Sequence, residues 1–197
     1  CINDSPILAI VDCDEYLLVS IEGRGVFQCM DGRLSTVSLV TDSTADVDAA
    51  YRDADGLVWL GTRGNGLLLL DGDRTHRFTM KDGLFDDEIF GIAADDQNHL
   101  WMACSKGIFF VERDKLKEFA TGALKQLEST FFTPLDALRA IECQEGVQPS
   151  VQKTRDGHMW FSTIRGLVVV DPNHFQRQLP PPAVVIEKMV VNGADQD

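Results

Sequence analysis

Arg24, Arg63 with Asn65, Lys106 and Arg165 recur at one place in four similar stretches, each in a polar loop between two apolar runs. One such side chain per stretch could ring a cavity and hold an anionic or sugar ligand by charge-assisted hydrogen bonds. Solvated turn residues would leave the same trace, so both readings stay open. Asp82, Asp86 and Asp87 lie on a connecting segment and face the same choice.

Other chemistries find less support. Trp59, Trp101 and Trp160 could stack on sugars, but their fixed mid-strand position in each stretch favours a buried core role. The pairs Asp12/Asp14, Asp53/Asp55 and Asp95/Asp96 could bind calcium. Calcium asks for about 6–8 oxygens, and each turn offers two carboxylates. Capping of the turn by Asp is the simpler use. GTRGNG at 61–66 is glycine-rich but sits between strands and lacks the Lys-Ser/Thr of a phosphate loop. His76, His99, His158 and His174 fall at unrelated repeat positions, and no Ser or Cys lies in a nucleophile elbow. The five cysteines include no CxxC, which argues against zinc and against a disulfide framework. A Cys13–Cys29 bridge is conceivable. Cys104 stands where Thr62 and Thr163 stand in other stretches and reads as a small buried hydrophobe. No metal and no cofactor are expected.

The elements that position these residues are short strands. Asp53 to Asp71 reads turn, strand with Trp59, glycine turn, strand. The cassette recurs around Trp101 and Trp160, and more weakly around Leu18, which holds the Trp position. The steps are 41, 42 and 59 residues. A period near 40 with about four strands per unit marks a β-propeller. The expected fold is therefore all-β, with about four four-stranded antiparallel β-propeller blades near 6–39, 47–80, 89–146 and 150–175, as part of a larger propeller, because each blade needs a neighbour to bury its face.

The third step is 17 residues longer than the second. Residues 112–127 space Leu116, Phe119, Ala123 and Leu127 as an amphipathic helix would, broken near Gly122. They are expected to form a short helical insertion outside the blade core. Residues 40–46 read as a polar loop. Pro180, Pro181 and Pro182 make a stiff spacer. Residues 180–197 are expected to be a linker and the first strand of a second, truncated domain.

The 197-residue chain carries net charge −13 and no dense Lys/Arg cluster, which excludes a nucleic-acid footprint. No apolar run approaches the roughly 18 residues of a membrane helix. No secretory signal opens the chain, and its start at Cys1 reads as that of an excised fragment.

The repeats resemble the bacterial two-component regulator propeller family. Its unit, roughly D-x-G-x-[LI]-W-[ILF]-G-T-x-x-G-[LI], is matched well at Asp55 to Leu67 and Asp156 to Leu167, and less well at Asp96 to Ile108. KDGLFDDEIFGIAAD (81–95) is similar to the family's linker between units, and residues 166–193 to the exit from the last blade into an Ig-like domain. The resemblance implies a sensor module on the periplasmic side of the inner membrane, followed by an Ig-like domain, a membrane helix and a kinase or cyclase. It also implies a larger ring of which these are the last blades.

Two functions follow. One is a non-catalytic sensor for a small molecule or carbohydrate, relaying binding to a downstream domain. The other is a propeller lyase or glycosidase acting on carbohydrate with loop carboxylates or His. Fold alone hosts both. Blade faces without a neighbour, carrying Leu17 and Val19 in the first unit and Met159 or Phe161 in the fourth, predict self-association of the isolated chain.

Overall fold

Alternating apolar residues between Asp/Gly turns fold here into meanders, each strand pairing with the one before it. The computed structural model describes residues 5–37, 46–72, 74–132, 142–174, 189–191 and 194–196. In the first sheet β1 (Ile7–Asp12), β2 (Leu17–Ile21), β3 (Gly25–Met30) and β4 (Arg33–Thr36) lie antiparallel in chain order. The second repeats this with β5 (Val47–Arg52), β6 (Val58–Thr62), β7 (Leu67–Asp71) and β8 (Arg74–Phe78). The third contains β9 (Gly91–Ala94), β10 (His99–Cys104), β11 (Gly107–Glu112) and β12 (Thr130–Phe132), with helix α1 (Arg113–Ala120) between its last two strands. The fourth has three strands among the described residues: β13 (Val151–Lys153), β14 (Met159–Thr163) and β15 (Gly166–Val170). The first strands β1, β5, β9 and β13 pack side by side in succession, as the inner strands of propeller blades do. The all-β propeller architecture expected from the repeat is the observed one. Near the C-terminus, β16 (Met189–Val191) and β17 (Ala194–Gln196) form a two-stranded antiparallel ladder. The Pro spacer, and the part of the loop at 40–45, lie outside the described residues.

Three apolar clusters fill the spaces between blades. Leu18 and Val26 of the first blade meet Val58, Leu60, Leu68 and Leu70 of the second. Trp59, Leu67 and Leu69 of the second meet Leu100, Met102, Phe109 and Val111 of the third. Trp101, Ala103, Ile108 and Phe110 of the third meet Met159, Phe161 and Val170 of the fourth. The position held by Leu18, Trp59 and Trp101 thus always faces the following blade. Trp59 and Trp101 are buried, as expected, but Trp160 is 37% exposed. The expectation of burial fails there because no blade among the described residues follows the fourth. Met159 and Phe161, expected on an open face, are fully buried because they face the third blade, and Val19, expected to be exposed with Leu17, is buried while Leu17 is not.

Each buried indole is held by an Asp six residues earlier. Trp59 donates Nε1–H to Asp53 Oδ2 at 3.1 Å, and Trp101 donates to Asp95 Oδ2 at 2.8 Å. The other oxygen of each carboxylate caps its turn. Asp53 Oδ1 accepts from the backbone of Asp55 and Leu57, and Asp95 Oδ1 from Gln97 and His99. Asp12 caps Asp14 in the same way. The turn-capping reading of these aspartates therefore describes what they do. Thr154 occupies the equivalent position before Trp160.

Gly66 shows why the strand-connecting turn needs glycine. Its φ is +78°, and a Cβ would lie 2.0 Å from the Phe78 carbonyl oxygen. Any side chain would combine a left-handed backbone with a collision against main chain.

The insertion is not outside the core. Leu116 of α1 and Leu127 are buried in the same cluster as Trp59 and Phe78. The chain then returns as β12 to complete the third blade, pairing Ile108 with Phe132 and Phe110 with Thr130. The helix covers the gap between the second and third blades, where its apolar stripe is removed from water. Leu116→Ala is expected to cost about 2–5 kcal/mol in a urea melt. A loss below about 1 kcal/mol would return the helix to a peripheral role.

Candidate functional site

The rim carrying the loops between second and third strands is built by threonines. Thr62 Oγ1 donates to Gly66 O at 2.7 Å, and Thr163 Oγ1 to Gly166 O at 2.9 Å. The same hydroxyls accept from the backbone of Asn65 and Arg165. Cys104, at the matching position of the third blade, is buried, and its burial pushes the thiol up to about 12. Cys13 and Cys29 are free thiols, so the conceivable bridge between them is not formed.

These loops present the cations foreseen from the sequence, but each has its own surroundings. Arg63 forks onto Asp48, with Nε 3.2 Å from Oδ2 and Nη2 3.1 Å from Oδ1, and reaches Glu145 Oε1 at 2.6 Å. Asp48 is 6% exposed; burial pushes its carboxyl up, and the Arg63 hydrogen bonds and charge oppose that push. Lys106 Nζ stands 3.2 Å from the buried Asp86 Oδ2 without completing a hydrogen bond to it. The Arg24 guanidinium lies 5.9 Å from the centre of the Phe27 ring. Asp82 is turned inward to its own segment, where Oδ2 accepts from the Thr79 amide at 2.9 Å and hydroxyl at 2.8 Å. Asp87 likewise accepts from the Met80 amide at 2.7 Å.

An axial cleft of about 800 Å³ opens between the blades. The inner strands of all four blades line it. Its polar wall comes from Arg113, Gln148, Gln152, Lys153, Asp96 and Asn98. None of Arg24, Arg63, Asn65, Lys106, Arg165 or Asp82 lines it. Gln148 connects the two regions, because its Nε2–H donates to Asp48 O at 2.9 Å. The segment at 142–149 thus leaves the third blade, touches the second through Glu145 and Gln148, and enters the fourth. Inside the cleft, Lys153 pairs with Asp96, and Arg113 donates to Asn98 Oδ1 at 3.1 Å with Asp53 Oδ2 3.7 Å away. These wall residues were missed from sequence because they sit on inner strands and turns, away from the glycine loops. The available signal was the polar Gln152 in a strand whose counterpart in the second blade is Tyr51, with Lys153 matching Arg52.

Among the described residues, no group of three or more His, Cys, Asp or Glu side chains could hold a metal ion. No helix among them is long and apolar enough to cross a membrane.

No protein-family model matches the sequence, and no curated protein matches it. Solved structures do match the fold. The extracellular domain of BT3049 from B. thetaiotaomicron, described as part of a hybrid two component system, superposes with TM-score 0.62 at 15% identity, over 87% of this chain and 22% of that one. The extracellular domain of BT4673 from the same organism, described as a one component system, gives 0.59 at 15% identity, over 83% and 21%. Virginiamycin B lyase from Staphylococcus aureus gives 0.56 at 16% identity, over 92% and 58%. The molecule is a set of β-propeller blades, with a fold shared by these extracellular domains and by the lyase. It spans about a fifth of the length of the two extracellular domains.

Proposed function

We propose that the chain is a non-catalytic, ligand-sensing propeller module of a membrane-bound bacterial signal-transduction protein, held on the periplasmic side of the inner membrane. The observation that carries this reading is the axial cleft, whose volume falls within the roughly 300–1,000 Å³ of small-molecule sites. Gln148, Gln152, Lys153 and Arg113 supply its donors. Arg24, Arg63, Asn65, Lys106 and Arg165 on the rim then serve as outer contacts for an anionic or sugar ligand, with Asp82 fixing the crossing segment beside them. The cleft carboxylates are already engaged, Asp95 by Trp101 and His99 and Asp96 by Lys153, which suits binding better than acid–base work. Relay to a kinase or cyclase would pass through a following Ig-like domain, of which residues 180–197 form the linker and first strand.

Calorimetry with a panel of uronic-acid oligosaccharides, run beside a turnover assay, tests the reading. Binding without turnover is expected, with Lys153→Ala weakening it by about tenfold or more. Affinity unchanged in that variant would move the site elsewhere. The second reading, a carbohydrate-active lyase or glycosidase, draws on the fold shared with virginiamycin B lyase. Turnover abolished by one His or carboxylate substitution would establish it instead.

A further inference from the structure

An ion pair crosses each described junction between blades, at the turns that join first and second strands. Arg52, the last residue of β5, reaches back to Asp14 in the first blade's turn at 2.6 Å. Lys153, the last residue of β13, pairs with Asp96 in the third blade's turn. Arg52 and Lys153 hold equivalent places, each opposite the residue before the Trp position, Val58 and Met159. In the third blade the inner strand ends in Ala94, and the inserted helix supplies the cation instead. Lys117 Nζ lies 2.6 Å from Asp55 Oδ2 in the second blade's turn. All three pairs have one polarity, with the acid on the earlier blade and the cation on the later one.

The fourth blade carries the acid half of a further pair. Asp156 stands in the equivalent turn, and its side chain is 67% exposed, against 74%, 61% and 78% for Asp14, Asp55 and Asp96. Its partners among the described residues belong to its own turn. Thr154 Oγ1 donates to Oδ1 at 2.5 Å, and His158 Nδ1 lies 3.1 Å from Oδ2 without completing a hydrogen bond. On the same blade Trp160, Val169 and Leu167 are exposed. The first blade lacks the cation half. β1 ends in Asp12, opposite Leu17, where β5 and β13 end in Arg52 and Lys153. A second copy seated on the fourth blade would set Asp12 against Asp156.

We infer that the open face of the fourth blade is a docking surface for a further propeller blade whose inner strand ends in Lys or Arg. The exposed apolar side chains supply the affinity. The pair at Asp156 selects the partner and its direction, because an exposed ion pair contributes little by itself while like charges set against each other reject a wrong partner. An unaltered second copy of this chain is therefore a poorer occupant than such a blade. Docking here is independent of ligand binding in the axial cleft.

Charge reversals in the full chain test this, read as the concentration at half-association in sedimentation velocity. Asp12→Lys places the missing cation on the first blade and is expected to lower that concentration about fivefold. Asp156→Lys makes the same pair with its polarity reversed and should act alike. It carries the test if the Asp12 variant, which loses the cap on the Asp14 amide, fails to fold. The double variant restores like charges and should return to the wild-type concentration, although its net charge is nearest zero. The gain in either single variant should vanish in about 1 M salt. Single variants that associate no more tightly than the wild type overturn the inference. So does a double variant tighter than either single one, since lower net charge alone would then drive association.

Discussion

Trp59→Ala is expected to lower the unfolding free energy by about 3–5 kcal/mol, while Trp160→Ala, at the matching repeat position, is expected to cost less than about 1 kcal/mol. The two residues share a sequence context and differ in what lies over them. Trp59 is fully buried against the third blade and sits 6.2 Å from the Phe78 ring, centre to centre. Its removal would leave a cavity in the largest apolar cluster and strip Asp53, itself 5% exposed, of its indole donor. Both terms act in the same direction. Trp160 is 37% exposed and has Thr154 rather than Asp before it. Chemical melts of the two variants side by side check the prediction. With both melts run at dilutions where the chain is monomeric, equal losses would mean that the fourth blade's outer face is covered within the chain.

Much of this architecture was legible in the sequence because a propeller repeats its physics. The 42-residue step from Trp59 to Trp101 carries the turn, the buried indole and the glycine loop together, and Leu18 marks the first blade by holding the same place. What was not legible depends on contacts between distant segments. The amphipathic stretch at 112–127 identifies a helix, but spacing cannot say that Leu116 enters the cluster around Trp59, or that the fourth strand of the third blade comes from Thr130–Phe132. The rim cations were legible as positions. Their pairing was not, since the partner of Arg63 includes Glu145, a residue 82 positions away in the segment between the third and fourth blades. The axial wall was least visible, because inner-strand residues such as Gln152 carry no motif.

The isolated 197-residue chain is expected to self-associate head to tail, with the fourth blade of one copy seated on the first blade of another. Within the chain, every face at the Trp position meets the opposite face of the following blade. Two faces lack that partner among the described residues. On the fourth blade Trp160, Val169 and Leu167 share one face and are 37%, 43% and 66% exposed. On the first, Ile10, Leu17 and Leu34 share one face and are 51%, 40% and 40% exposed, while Val19 and Ile21 on that face are buried. Contiguous apolar surface of this kind is uncommon on monomers, and covering it contributes about 25 cal/mol per Å². The two faces differ from each other, so the contact is heterologous and either closes into a ring or grows. Two copies of four blades would make eight, within the range of roughly 4–8 blades that propellers adopt. Where the propeller continues in a longer protein, further blades would take the same places, so the experiment must use this chain alone. Sedimentation velocity over a concentration series should show reversible growth in mass, and Leu167→Lys should abolish it by placing a charge at the centre of the contact. A clean monomer at the highest concentration would show that the end faces are covered within one chain.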